Sequence, residues 1–211
     1  MTTQTMKQSL RQSIIAARQK MAASDRAELS AAITQRILDL PPYKSAACVL
    51  GYMSFGAEFS TAAWVRQALQ DGKQVLLPKV NSSTKQLELY CISDLQRDLA
   101  PGMWEIPEPM ADRCVRVDAL QQVDFILLPG VAFARDGSRL GYGGGFYDKL
   151  LARINPHEAV PQAVNPALAA AAFAMQLIQE IPQEATDRKV DWLLTENEVI
   201  DCGTERTRMS N

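Results

Sequence analysis

Apolar residues recur at helical spacing near the start of the chain and collect into short continuous runs further on, the alternation expected of helices laid against a sheet. Over residues 8–21, Leu10, Ile14, Ile15 and Arg18 mark a helix. Lys7 and Arg11, one turn apart on a shared face, can bring two cations to one anion. Ser24 is the expected N-cap of a second helix, whose Leu29, Ile33, Ile37 and Leu40 form an apolar stripe before Pro41-Pro42 ends it. Residues 46–53 read as a buried strand. After a polar turn comes a helix capped by Ser60 or Thr61, presenting Trp64, Val65, Ala68 and Leu69 inward and stopping at Gly72.

Residues 74–78 and 87–92 read as strands, 101–109 as a proline-rich loop, and 123–128 as the strongest buried strand. The Ala- and Leu-rich stretch 166–181 favours helix by propensity, with a central strand ahead of Phe173 as the alternative. Trp192–Leu194 is the last expected strand. These elements predict one α/β domain over residues 1–200, with a central, mostly parallel, Rossmann-like sheet flanked by helices on both faces, and a frayed tail over 201–211.

At 47% hydrophobic and 22% charged, the 211 residues have ordinary globular usage, which excludes a disordered or fibrous chain. Lys and Arg number 22 against 24 Asp and Glu, a net charge of −2, so there is no basic excess for gripping duplex nucleic acid; a local basic pocket for a small anion is compatible. Cys48, Cys91, Cys114 and Cys202 are scattered without a C-x-x-C pair, and His157 is the only histidine. Structural zinc is therefore not expected, and reduced thiols in the cytoplasm are. There is neither a signal-peptide core nor an apolar run of the roughly 18 to 20 residues that would span a bilayer.

The candidate chemistry lies after the strand ending at Leu128-Pro129-Gly130, where the chain reads Ser138-Arg139-Leu140-Gly141-Tyr142-Gly143-Gly144-Gly145-Phe146-Tyr147-Asp148-Lys149. Four glycines within five positions let successive backbone N–H groups converge on phosphate oxygens. A helix beginning near Gly145 would add the positive end of its dipole, and Arg139 a two-pronged contact. The Walker A sequence is absent, and G-x-G-x-x-G fails at Phe146. Taken alone, such a cluster serves a tight turn as readily as an anion.

The run from Leu127-Leu128-Pro129-Gly130 with Phe133, through Gly137 and Arg139-Leu140-Gly141, to Gly143, Gly145, Tyr147 and Asp148 closely resembles the signature of the 5-formyltetrahydrofolate cyclo-ligase family. In the family's order there follow, from the start of the chain, Lys7 with Leu10-Arg11, Glu58 with Thr61, Pro78, Trp104-Glu105-Ile106-Pro107-Glu108-Pro109, Phe173 with Gln176, Ile181-Pro182 and Asp187 ahead of Val190-Asp191. The resemblance implies ATP-dependent closure of 5-formyltetrahydrofolate to the 5,10-methenyl form, with release of ADP and phosphate. It implies that Lys7, Arg11, Arg139, Leu140 and the loop Gly141, Tyr142, Gly143, Gly144 and Gly145 hold the ATP phosphates. Asp148 and Asp187 match magnesium positions, while Tyr52, Met53, Glu58, Trp104, Tyr147 and Gln176 match the folate side; Arg139, Tyr147 and Asp148 are the catalytic set.

Two aspartates suffice for magnesium, which needs only one or two protein carboxylates beside phosphates and water. A flat pterin suits an aromatic wall with Glu58 accepting its ring N–H groups. One departure stands out: several relatives carry His just before the late aspartate, where this chain has Thr186. The expected partners are small molecules, a reduced folate and ATP, met by a monomer with no nucleic-acid or membrane partner. Two rivals remain open: a catalytically silent folate- or nucleotide-binding module, which would release no ADP, and another activity on the same scaffold, such as sugar-phosphate isomerisation, which would need no nucleotide.

Overall fold

The middle strands of the central sheet are buried on both faces, and so the short apolar runs become strands. The computed structural model describes residues 2–118, 120–154, 165–184 and 187–203. Helices α1 (Thr3–Gln19), α2 (Ala23–Asp39) and α3 (Pro41–Ser45) precede β1 (Cys48–Leu50). Next come α4 (Ala62–Gln70), β2 (Gln74–Asn81), β3 (Gln86–Ile92), β4 (Leu99–Pro101), β5 (Pro107–Pro109) and β6 (Val115–Val117). The second half runs β7 (Phe125–Leu128), β8 (Ala132–Ala134), β9 (Arg139–Leu140), α5 (Phe146–Ile154), β10 (Ala167–Ala171), β11 (Leu177–Ile178), β12 (Trp192–Leu194) and β13 (Val199–Asp201).

The main sheet has the order β13-β12-β10-β7-β1-β2-β3-β6; its strands from β12 to β2 are parallel, and β13, β3 and β6 are antiparallel additions at the edges. One face packs Val49, Val75, Phe125 and Leu127 against Ile33 and Ile37 of α2 and Trp64, Val65 and Ala68 of α4. The other packs Leu50, Leu76, Ile126 and Leu128 against Leu150 and Leu151 of α5. A third cluster seats Leu10 and Ile14 of α1 on the small sheet β11-β8-β9, through Ala132, Ala134, Leu140 and Ile181. Chain order reverses between β1 and β7, because β1 pairs with β2 on one side and β7 on the other. Such a reversal opens a crevice beyond the strands' carboxyl ends, and Tyr52, Met53 and Pro129 line it here.

Several local expectations are corrected. The stretch from Ala167 is strand, not helix: Ala169, Ala171 and Phe173 enter one core layer, and Leu168, Ala170 and Ala172 the other. Alanine's helical preference is worth less than about 1 kcal/mol per residue, whereas the facing edges of β7 and β12 both need the backbone partners that β10 supplies. Ser24 does not cap α2. The helix begins two residues earlier, after Ala22, and the Ser24 hydroxyl instead meets Asp25. Thr61 holds the cap position of α4 but accepts from Ser54 N rather than from the helix. The proline-rich loop, together with Leu99 and Ala100 before it, forms the hairpin β4–β5, and β12 is not last, because β13 pairs antiparallel with it. Asp201 of the expected tail closes β13; residues 204–211, like His157 and Thr186, lie outside the described residues.

Candidate active site

A cleft of about 1700 Å³ sits at the crevice, larger than the roughly 300 to 1,000 Å³ usual for one small ligand. One end is built by the glycine loop. Gly143 (φ +101°) and Gly145 (φ +64°) carry the loop through conformations that side chains resist, delivering it to the start of α5 at Phe146. Among the described residues no N–H from 141 to 145 donates to another protein group. Arg11 pins the loop from α1, its Nε donating to Gly141 O at 2.7 Å.

Cations and carboxylates alternate beside that loop. Arg139, the first residue of β9 and 8% exposed, donates to Pro129 O (3.2 Å) and to Asp148 Oδ1 (2.7 Å). Lys7, 6% exposed, bonds Asp187 Oδ2 at 2.7 Å, with Glu184 3.7 Å away. Burial disfavours the ionised form of Asp187. The bonds from Lys7 and Glu184 N–H and the Lys7 and Arg139 charges outweigh burial and hold the carboxyl below its usual range. Asp148 Oδ2 and Asp187 Oδ1 have no protein partner among the described residues. These two free carboxylate oxygens fit a hard cation that takes its other ligands from phosphate and water.

The opposite end is aromatic around one buried acid. Ser54 and Thr61 bond reciprocally, each side chain accepting from the other's N–H, and so fix the loop carrying Glu58. Glu58 accepts from Phe55 N at 3.0 Å and from the Tyr142 hydroxyl at 2.5 Å. Burial pushes its carboxyl upward, while those two bonds and the Arg18 charge oppose the rise. Burial, then the charge of Glu58, pushes the Tyr52 and Tyr147 hydroxyls well above the ordinary phenol range, so both stay neutral donors. Trp104 lines the mouth, 67% exposed and at φ +59° in the turn between β4 and β5.

Residues 3–196 match the model of the 5-formyltetrahydrofolate cyclo-ligase family. The chain belongs to that family. It is 28% identical to the 5-formyltetrahydrofolate cyclo-ligase of Mus musculus over 200 residues, covering 93% of this chain and 96% of the mouse protein. Identity to the Escherichia coli K12 cyclo-ligase is 29% over 183 residues, 86% of this chain and 96% of the bacterial one. The NMR structure of Aquifex aeolicus 5,10-methenyltetrahydrofolate synthetase superposes with a TM-score of 0.77 at 30% identity, covering 93% of each chain. The Mycoplasma pneumoniae synthetase, at 19% identity and a TM-score of 0.67, shares the fold.

Of the cyclo-ligase positions expected from sequence, the cleft gathers Lys7, Arg11, Tyr52, Met53, Glu58, Trp104, Arg139 through Asp148, and Asp187. Gln176 is a correction. It is buried away from the cleft, with its amide spent on Gly130 O and Val131 O and on accepting Phe173 N. It braces the chain leaving β7 and does not line the cleft. Arg18, Phe55 and Glu184 were not foreseen in the site. Arg18 falls two helical turns beyond Arg11, a spacing that would have placed it on the Lys7–Arg11 face.

Proposed function

We propose that this chain catalyses ATP-dependent cyclisation of 5-formyltetrahydrofolate to 5,10-methenyltetrahydrofolate, releasing ADP and phosphate. The observation that carries the reading is the pairing, in one cleft, of a glycine loop whose N–H groups have no partner among the described residues and a buried acid ringed by tyrosines. The first suits a triphosphate and the second a pterin edge.

A formamide oxygen leaves poorly and needs activation. The γ-phosphoryl group passes to the formyl oxygen, breaking its bond to the β–γ bridging oxygen and freeing ADP. N10 then attacks the activated carbon, loses its proton and expels phosphate, closing the ring. Lys7, Arg11, Arg139 and the amides from Leu140 to Gly145 bind and orient the phosphates. Glu58, Tyr52, Met53, Trp104 and Tyr147 hold the folate so that its formyl oxygen faces them. Arg139 is the cation best placed to meet charge developing in transfer, and Asp148 keeps it aligned. Magnesium held by Asp148 and Asp187 would neutralise phosphate charge.

Cys48, Cys91 and Cys114 are free thiols, which supports a reducing compartment such as the cytoplasm. Among the described residues no helix is long and apolar enough to cross a membrane. The test is to supply purified protein with 5-formyltetrahydrofolate, ATP and magnesium. New near-ultraviolet absorption from the amidinium product is expected, with ADP formed in equal amount. ADP release without that product, or neither, would sink the proposal.

A further inference from the structure

We infer that the Tyr142 side chain is a positioning residue of the folate subsite, bridging the buried Arg18 guanidinium to the buried Glu58 carboxylate and tying the glycine loop to the pterin acceptor. This rests on the reading of Glu58 given above, and it assigns the loop tyrosine a role separate from the phosphate contacts of the loop's backbone.

Three segments distant in sequence meet at one oxygen. Arg18, on α1 and 4% exposed, donates from Nη2 to the Tyr142 hydroxyl at 2.7 Å, and that hydroxyl donates to Glu58 Oε1 at 2.5 Å. Arg18 has no carboxylate within ion-pair distance among the described residues, and its buried Nε has no partner there. Among the described residues a buried cation and a buried anion therefore meet only through the phenol, an arrangement whose interruption leaves both uncompensated. The direction of the relay is fixed, since a guanidinium has no acceptor and an ionised carboxylate has no donor. The Tyr142 ring is held in turn by Phe55, with ring centroids 5.3 Å apart. Phe55 N meanwhile takes the second carboxylate oxygen, Oε2, at 3.0 Å. Both Glu58 oxygens are thus oriented, and each keeps a lone pair for a ring N–H.

The groups facing Glu58 are Tyr52 from the segment after β1, Tyr147 from α5, Tyr142 from the glycine loop and Arg18 from α1. Burial and the charge of Glu58 push the three tyrosines upward, so Glu58 is the group whose charge changes on the acid side. Burial raises the Glu58 carboxyl, and the Tyr142 bond and the Arg18 charge each oppose the rise. Removing either one moves the acidic limb of folate kcat/KM to higher pH, which a merely structural role would not do.

The experiment compares wild type, Tyr142→Phe, Arg18→Met and Glu58→Gln in steady-state kinetics with both substrates across pH, with urea unfolding as the check on folding. Loss of one hydrogen bond to a charged group raises the folate KM of Tyr142→Phe about 10-fold or more. The ATP KM and kcat change by less than about 3-fold, and the acidic limb moves up. Arg18→Met, which keeps the phenol–carboxylate bond, moves the limb in the same direction and decides the matter should Tyr142→Phe not fold. A folded Tyr142→Phe with wild-type folate KM and limb overturns the bridge alone. A Glu58→Gln variant with wild-type folate KM, or wild-type protein that makes no product, overturns the reading beneath it.

Discussion

Replacing Arg139 by Ala separates chemistry from folding, because the side chain serves both in measurable proportions. The guanidinium gives one bond to Pro129 O and one to Asp148. Its loss strands a buried carbonyl, at about 1 to 3 kcal/mol, and frees a carboxylate that is already 27% exposed and can hydrate. Against a domain stability of about 5 to 15 kcal/mol, that leaves the variant folded. Catalysis suffers more. One donor aimed at developing charge is worth about 100- to 1,000-fold in kcat, or roughly 2.7 to 4 kcal/mol.

The assay is the initial rate of methenyl absorption at saturating ATP and folate, with urea midpoints measured on the same preparations. Asp148→Ala is expected to fall on the same scale. The double variant should lose less than the product of the two single effects, since groups 2.7 Å apart act as a unit. Near wild-type turnover in both single variants refutes the assignment, and so does turnover lost only in proportion to unfolded protein.

Other outcomes follow from the same geometry. Gly143→Ala forces a side chain to φ +101°, a strain of about 1 to 3 kcal/mol; calorimetric titration should show ATP binding weakened about 10-fold, with folate binding little changed. Trp104→Ala removes an exposed wall, so folate KM rises while the urea midpoint moves by less than about 0.5 kcal/mol of stability. Burial disfavours the Asp98 carboxylate, but Ser93 N–H and hydroxyl, Asp94 N–H and Arg97 together pull it down to about 2 from 3.8. Its stabilisation is therefore complete above pH 3.8 and lost as pH falls through about 2. The stability gap between wild type and Asp98→Asn, followed by denaturation at each pH, should be constant near neutrality and close in that acid window.

Much of this protein was legible because it is written in local chemistry. The apolar run at Phe125–Leu128, the stripe of α2 and the glycine cluster each specify their own conformation, through burial, helical period or the absence of Cβ. The order of polar landmarks along the chain was enough to point to the family. Tertiary structure decided what depends on neighbours remote in sequence. Ala167–Ala171 is a strand only because β7 and β12 offer it partners on both sides, which outbid alanine's helical preference. Gln176 turns inward because carbonyls some 45 residues away need its amide. Arg18 reads as an ordinary helical cation until the fold sets Tyr142 and Glu58 beside it. A side chain's preferences belong to its sequence, but the partner that satisfies a buried charge or hydrogen bond is supplied by the fold, and that partner determines what the residue does.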